Sequence, residues 1–156
     1  GLNSALRIGD ILSLRWEDVR RESAYRRHIW IREQKTGKDN MFPVNPMMVE
    51  ALEFYRHYLT GYSSEKYIFE SQKDRENPIS RSQAFRIIKK AADQCGLREH
   101  ISCHSLRKTF GYYAWKQGTP PALLMSIYNH SSYEITKRYL CIDQQEKDKV
   151  YMEIQL

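Results

Sequence analysis

Between Cys103 and Tyr139 the chain reads C-H-S-L-R-K-T-F-G-Y-Y near its start and Y-N-H-S-S-Y-E-I-T-K-R-Y near its end. Set at about 100° per residue on a helix, Leu106, Phe110 and Tyr113 fall together, with Ala114 at their edge, and His104, Arg107, Lys108 and Gly111 take roughly the opposite side. One face is therefore expected to be core and the other to meet an anion. His130 follows in a loop, and Tyr139 comes nine residues later. Far upstream stand Arg7 and Lys35. Together these groups could do phosphate chemistry. Displacement at a phosphodiester gathers negative charge on the non-bridging oxygens, and guanidiniums stay charged and match that geometry in pairs. Arg7 and Arg107, on separate elements, could clamp the phosphate from two sides. Lys35, on a hairpin, could protonate the leaving alkoxide. A tyrosine hydroxyl, with an ordinary pKa of about 10, needs a nearby base or cation to attack, and His104 and His130 are available.

Other chemistries find no framework. There is no glycine-rich phosphate loop and no carboxylate cluster suited to a divalent metal. Cys95, Cys103 and Cys141 are odd in number and lack C-x-x-C spacing, so they read as reduced thiols, neither disulfides nor zinc ligands. Cys103 and His104 are neighbours on a helix and point about 100° apart, which argues against a direct nucleophile–base pair. Single residues also have plain readings: Arg7 as a solvated surface charge, Lys35 and Lys38 as solubilising turn residues, Arg81, Arg86, Lys89 and Lys90 as a hydrated helix face.

The elements that would carry these groups can be read in order. Ser4 to Trp16 reads as a helix with Ile8, Ile11 and Leu12 on its stripe. From Val19 to Val44 the period becomes two, broken by the turn residues Lys35 to Asn40, which predicts a small antiparallel sheet of two or three strands presenting Lys35 and Lys38 at a tip. Asn45-Pro46 starts a helix that Gly61 stops. Tyr67 to Phe69 is a short buried segment before a polar loop, Glu70 to Asn77. Ser80 and Gln83 form a capping box for a helix ending at Gly96, with Ala84, Phe85, Ile88, Ala91, Ala92 and Cys95 buried. Helices then run from His104 to about Lys116, from Thr119-Pro120 onward, and from Ser132 towards Tyr139 with Ser131 and Glu134 as capping box. At about 1.5 Å rise per residue, that last helix would hold Tyr139 roughly 12 Å from His130. The two are expected to meet only through a bound group.

The chain has 156 residues, 41% hydrophobic, enough for one domain around a proper core. It shows no run of about 20 apolar residues and no signal-like segment, so a soluble, cytoplasmic protein is expected. The formal charge is +6; the segment after Tyr139 carries −2, leaving +8 on the remainder. A basic body with 11 tyrosines fits a polyanionic partner.

Four separated boxes, A-L-R-I-G-D-I-L-S-L-R-W-E-D-V, K-T-G-K, H-S-L-R-K-T-F and N-H-S-S-Y-E-I-T-K-R-Y, occur in order over nearly the whole chain. Together they resemble the catalytic domain of tyrosine recombinases, the phage-integrase family. The resemblance implies an α+β, mainly helical domain over residues 1–156, with a small three-stranded antiparallel sheet in the N-terminal third and the family's N-terminal DNA-clamping domain absent. It matches Arg7, Lys35, His104, Arg107 and His130 to the family's catalytic positions and Tyr139 to its nucleophile. Asp10 matches an acidic position that buttresses the first arginine, and Lys38 is the second choice for the lysine. Arg81, Arg86, Lys108 and Lys38 are candidates for DNA contact. Where the family usually has Leu-Gly before the second histidine, this chain has Tyr128-Asn129, and asparagine can take the left-handed conformation in glycine's place. Implied further are double-stranded DNA as partner, a homotetramer on two DNA sites, possible accessory DNA-bending or directionality factors, no cofactor and no metal, and a nucleoid-associated setting in a prokaryote or phage. Val150 to Leu156 would dock on a neighbouring protomer. A type IB-like topoisomerase, or a DNA-binding module without catalysis, are the alternatives.

Overall fold

In the computed structural model, residues 1–59, 61, 63–140 and 143–154 are described, residues 143–146 by backbone alone. Cys141, Gln155 and Leu156, which the sequence reading touches, lie outside them. The order is α1 (Ile8–Leu12), α2 (Trp16–Val19), β1 (Arg20–Arg21), β2 (Ala24–Tyr25), β3 (His28–Arg32), β4 (Asp39–Pro43), α3 (Pro46–His57), α4 (Arg81–Gln94), α5 (Cys103–Lys116), α6 (Pro121–Ile127), α7 (Tyr133–Leu140) and α8 (Asp143–Glu153). The expected mainly helical fold with a minor antiparallel component is what forms. None of the described helices is long and apolar enough to cross a membrane.

The N-terminal third departs from expectation in two ways. The helix expected over Ser4 to Trp16 is broken into α1 and α2. Ala5 has φ 54°, and beyond α1 the backbone turns to other partners: Ile68 N–H donates to the Leu14 carbonyl (2.9 Å) and Trp16 N–H to that of Lys66 (3.0 Å). The apolar stripe is real, but tertiary hydrogen bonds claim the helix's second half. The three-stranded sheet is likewise two ladders, β1–β2 and β3–β4, each antiparallel. Arg26 N–H pairs with the Val19 carbonyl and the Arg27 carbonyl accepts from Val44 N–H, so the strand changes partner between adjacent residues. In β3–β4, Ile29 faces Phe42 on the buried side and Trp30 faces Met41 outward, with Trp30 69% exposed.

The helices begin where local chemistry says. Asn45 Oδ1 accepts from Met48 N–H at 2.9 Å with Pro46 at the first position of α3, and Ser80 Oγ accepts from Gln83 N–H at 3.1 Å for α4. At α7 the cap is Ser132, not Ser131: Ile135 N–H donates to Ser132 Oγ at 3.4 Å. On α4, Ala84 and Ala92 are buried, but Ala91 and Cys95 are exposed.

Two cores result. Leu6, Leu14, Trp16, Val19, Ile29, Phe42 and Ile68 form one; Ala5, Leu124, Tyr128 and Leu140 form the other, joined by partly buried Phe110, Ala114 and Tyr139. Ala5 belongs to the second core and Leu6 to the first, so Arg7 leaves the chain at their junction.

Candidate active site

The junction of the two cores gathers residues from α1, the β3–β4 turn, α5, the α6–α7 loop and α7. Arg7 is the N-cap residue of α1, with extended backbone (φ −72°, ψ 149°). It lines a cavity of about 380 Å³ together with Asp10, Gln34, Lys35, Arg81 and His104. Lys35 is exposed in the β3–β4 turn, where Gly37 takes φ 65°. Lys38 is exposed as well and is not among the residues lining this cavity. Arg81 opens α4; its Nη2 donates to Gln34 Oε1 at 3.2 Å, and a Cβ on Gly9 would stand 2.6 Å from that same nitrogen. A side chain at position 9 would have to push the tips of Arg81 and Gln34 aside. Arg86 lies one turn further along α4, exposed, its Nε donating to the Ser82 carbonyl at 3.4 Å.

Helix α5 keeps part of the expected orientation, with Phe110 and Ala114 packed against the second core and His104 exposed. Its most buried positions are Arg107, 2% exposed, and Gly111, while Tyr113, expected in the core, is 60% exposed. Arg107 and Gly111 pack as well, because the wall they meet offers carbonyls to the guanidinium and leaves no room for a side chain at 111. Arg107 donates through Nη1 to the Ala5 carbonyl and through Nη2 to the Tyr128 carbonyl at 3.0 Å, with its guanidinium 4.5 Å above the Tyr128 ring. Tyr128, fully buried, returns a bond from its hydroxyl to the Arg107 carbonyl at 2.7 Å. A Cβ on Gly111 would clash with the Tyr128 ring and stand 2.6 Å from Leu140 Cδ2.

Tyr139 is enclosed by aromatic and cationic groups. His104 and His130 both approach its ring edge-on with centroids at 5.4 Å, Tyr128 lies at 5.3 Å, and Lys108 Nζ stands 5.6 Å from its centroid. Its buried hydroxyl has no hydrogen-bond partner of good geometry among the described residues. Burial pushes the phenol above its ordinary pKa, against the pull of the Arg107 and Arg7 charges. The direct contact between His130 and Tyr139 corrects the expected separation. The rise along the axis is a backbone distance, and both side chains close it. Tyr139 reaches towards the N-terminus of its helix, and His130 reaches down to bond Thr136 through Nδ1 at 3.0 Å, one turn before Tyr139.

Asn129 takes the left-handed conformation expected of it, φ 53°. His130 stacks on Tyr128 (5.2 Å, 16°) and is driven down to a pKa of about 4, first by burial and then by the Arg107 and Arg7 charges. His104 is lowered too, by burial and then by Arg107, Lys108, Arg7 and Lys35. Arg107 itself is lowered by burial and next by Arg7. Two guanidiniums thus repel each other in a pocket whose imidazoles are neutral. Such a group of charges is stabilised by an anion.

Asp10 does not buttress Arg7. Its Oδ1 accepts from Gln34 N–H at 2.9 Å, and Oδ2 has no hydrogen-bond partner among the described residues. The carboxylate on Arg7 is that of Glu33, at 2.6 Å and with its side chain fully buried. Sequence reasoning passed over Glu33. A signal was present, because Ile29, Ile31 and Glu33 share one phase of an alternating strand, so the carboxylate had to point inward. No group of three or more His, Cys, Asp or Glu side chains among the described residues is placed to hold a metal ion.

The family model described as "Phage integrase family" matches residues 2–146. The probable integrase/recombinase YoeC of Bacillus subtilis (strain 168) is 42% identical over 153 residues, covering 97% of this chain and 78% of that protein. Among solved structures, XerA recombinase superposes with a TM-score of 0.76 at 21% identity, covering 99% of this chain and 56% of that one. XerH site-specific recombinase in a post-cleavage complex with its palindromic difH substrate gives a TM-score of 0.69 at 19% identity, over 97% of this chain and 43% of that one. At these identities the two structures bear on the fold.

Proposed function

The chain belongs to the phage integrase family, and from that premise we propose that it is the catalytic domain of a site-specific DNA recombinase, an integrase of a mobile element. It cleaves and rejoins double-stranded DNA through a 3′-phosphotyrosyl intermediate. The observation that carries this is the arrangement around Tyr139: two imidazoles on its ring, and Arg107 and Arg7 close enough for their charges to act on its hydroxyl.

Tyr139 Oη attacks the scissile phosphorus, forming the Tyr–O–P bond as the bond to O5′ breaks. Arg7 and Arg107 take the non-bridging oxygens; two of the five N–H donors of Arg107 are already fixed on carbonyls, which aims the rest. The phenolic proton passes to a neutral imidazole, His104 or His130. Lys35 Nζ gives a proton to the departing O5′. The ester conserves the energy of the broken bond, so the 5′ hydroxyl of a partner duplex reverses the step without ATP: it attacks phosphorus and gives its proton to the neutral Lys35 amine, the Tyr139–O–P bond breaks, and the phenol recovers its proton from the imidazolium. Lys108, Arg81, Arg86 and Lys38 contact the DNA backbone around the site. Four copies act together on two DNA sites, with accessory DNA-bending or directionality factors, and the exposed Val150, Tyr151, Met152 and Ile154 on and beyond α8 dock on a neighbouring copy.

The test is covalent capture. The full chain is incubated with sheared, nicked genomic DNA of its source, and protein–DNA adducts are isolated under denaturing conditions and sequenced. A recurrent DNA sequence joined through Tyr139 is the expected result, and it defines a nicked suicide duplex for further work. Attachment at any other residue, or none, sinks the assignment. Supercoil relaxation without a partner duplex identifies a topoisomerase instead.

A further inference from the structure

Among the described residues Glu33 and Asp10 are the acidic side chains buried beside the candidate phosphate site that the proposed reaction leaves without a role, and of the two it is Glu33 that bonds Arg7. It is 1% exposed and its two oxygens accept four bonds. Oε2 takes Arg7 Nη1 at 2.6 Å and Thr36 Oγ1 at 2.7 Å; Oε1 takes Asn40 Nδ2 at 3.0 Å and Asn129 Nδ2 at 3.0 Å. The donors come from the N-cap of α1, the turn that carries Lys35, strand β4, and the residue before His130. Asn129 is 96 residues away in sequence.

A carboxylate is an odd choice beside a phosphate pocket. It lowers the positive potential there, and burying it is costly unless every lone pair is satisfied. A well-packed apolar residue would serve stability as well. What a four-fold acceptor supplies, and an apolar residue cannot, is a fixed mutual geometry for its donors. Arg7 Nη1 is committed to Glu33, and the same residue lines the cavity with Lys35 and His104. The charge of the same carboxylate also acts on Arg107, favouring its charged form where the Arg7 charge opposes it.

We infer that Glu33 is a positioning residue of this site: it ties Arg7, the Lys35 turn and the His130 loop into one frame and sets which edge of Arg7 meets the scissile phosphate. The second half of this statement rests on the recombinase reading above; the first does not. Burial works against ionisation of Glu33, yet hydrogen bonds from Thr36, Asn129 and Asn40, with the charge of Arg7, keep its carboxyl below the usual range, consistent with a permanent anion at the centre of the frame.

Two measurements on the full chain test it. Amide hydrogen exchange, without DNA, is compared between wild type, Glu33→Gln and Glu33→Ala. Glutamine keeps the shape but one acceptor oxygen of two, and alanine removes both. Faster exchange is expected in two places at once, at Thr36 to Lys38 and at Asn129 to His130, with the amides of Ile29 and Phe42 unchanged. Loosening confined to the hairpin, or spread evenly through the fold, overturns the frame. The second measurement is the rate of adduct formation on the captured nicked duplex, with an ordinary scissile phosphodiester and with a methylphosphonate, which carries no charge for Arg7 to meet. Glu33→Gln is expected to slow the first by about tenfold, less than outright loss of a preorganised donor, and the second by less than about twofold. Equal slowing on both, or none on either, overturns the role in orienting Arg7. If wild type forms no adduct with any duplex, the recombinase reading falls while the exchange result still decides the frame.

Discussion

The rings of His130 and Tyr139 touch edge to face, centroids 5.4 Å apart and planes at 78°, with most of α7 between them in sequence. Tyr128 backs them both, stacked under His130 and edge-on to Tyr139. A neutral imidazole is therefore packed against an un-ionised phenol in a half-buried aromatic nest, and cations wait at its border. The nucleophile is held in readiness, with ionisation left to the arrival of a phosphate and the proton transfers that follow.

Tyr139→Phe should abolish covalent adducts while leaving binding of the captured duplex within about twofold, because phenylalanine keeps the ring contacts and removes only the attacking oxygen. Denaturing gels and a binding titration report the two quantities separately. Residual adduct above background would point to another nucleophile.

Lys35 and Lys38 should part company. Lys35 lines the cavity with Arg7 and His104, and Lys38 does not. Lys35→Ala is expected to slow cleavage by about 10²-fold or more, in the range of general acid catalysis, and a duplex with sulfur at the 5′ bridging position should restore most of the rate, since a thiolate leaves without a proton. Lys38→Ala should leave the cleavage step alone and reduce the salt slope of DNA binding by about one phosphate contact. Identical behaviour of the two variants would reject the division.

The pH dependence of stability follows from His130. Its folded pKa is held down to about 4, whereas in the unfolded chain it is about 6.5. Below about 6.5 the unfolded chain binds the proton that the folded chain refuses, so this contribution is intact above that value and is lost as pH falls towards 4. Melting temperatures measured between about pH 7 and pH 5 should fall less for His130→Gln than for wild type. Parallel curves would show that His130 is not held neutral.

Gly111→Ala tests the close approach of α5 and α7. A methyl there meets the Tyr128 ring and Leu140. Overpacking of this kind costs about 1–3 kcal/mol, which for a domain of this size lowers the melting temperature by roughly 2–10 °C. Cleavage should drop too, because Leu140 is the residue after Tyr139. An unshifted melting curve would contradict the contact.

At Asn129, glycine and alanine should rank in a way that separates conformation from bonding. The left-handed φ of 53° costs alanine about 1–2 kcal/mol and glycine nothing. Both lose the bond to Glu33. Denaturant titration should place Asn129→Gly between wild type and Asn129→Ala; alanine equal to glycine would remove the strain from the account.

The types and order of the reactive groups were legible in the sequence, because they depend on local features: the spacing of His104 and Arg107, the turn chemistry after Lys35, the loop at Asn129, and the caps at Asn45 and Ser80. The sequence by itself determined a mainly helical basic domain and its family. Tertiary structure decided which way those residues face. Periodicity put Arg107 on the hydrated side of α5, but the buried side is the one that can offer carbonyls, at Ala5 and Tyr128, to satisfy a guanidinium. The family resemblance implied that Asp10 buttresses Arg7, yet the Gln34 amide claims Asp10 and leaves Arg7 to Glu33, a residue visible only as an odd carboxylate on a strand's inner phase. Helical rise held His130 and Tyr139 apart, where side-chain direction brings them together. Each of these turns on a partner distant in sequence. A pattern along the chain records which residues prefer burial, and only the assembled fold settles what a buried polar group will bond to.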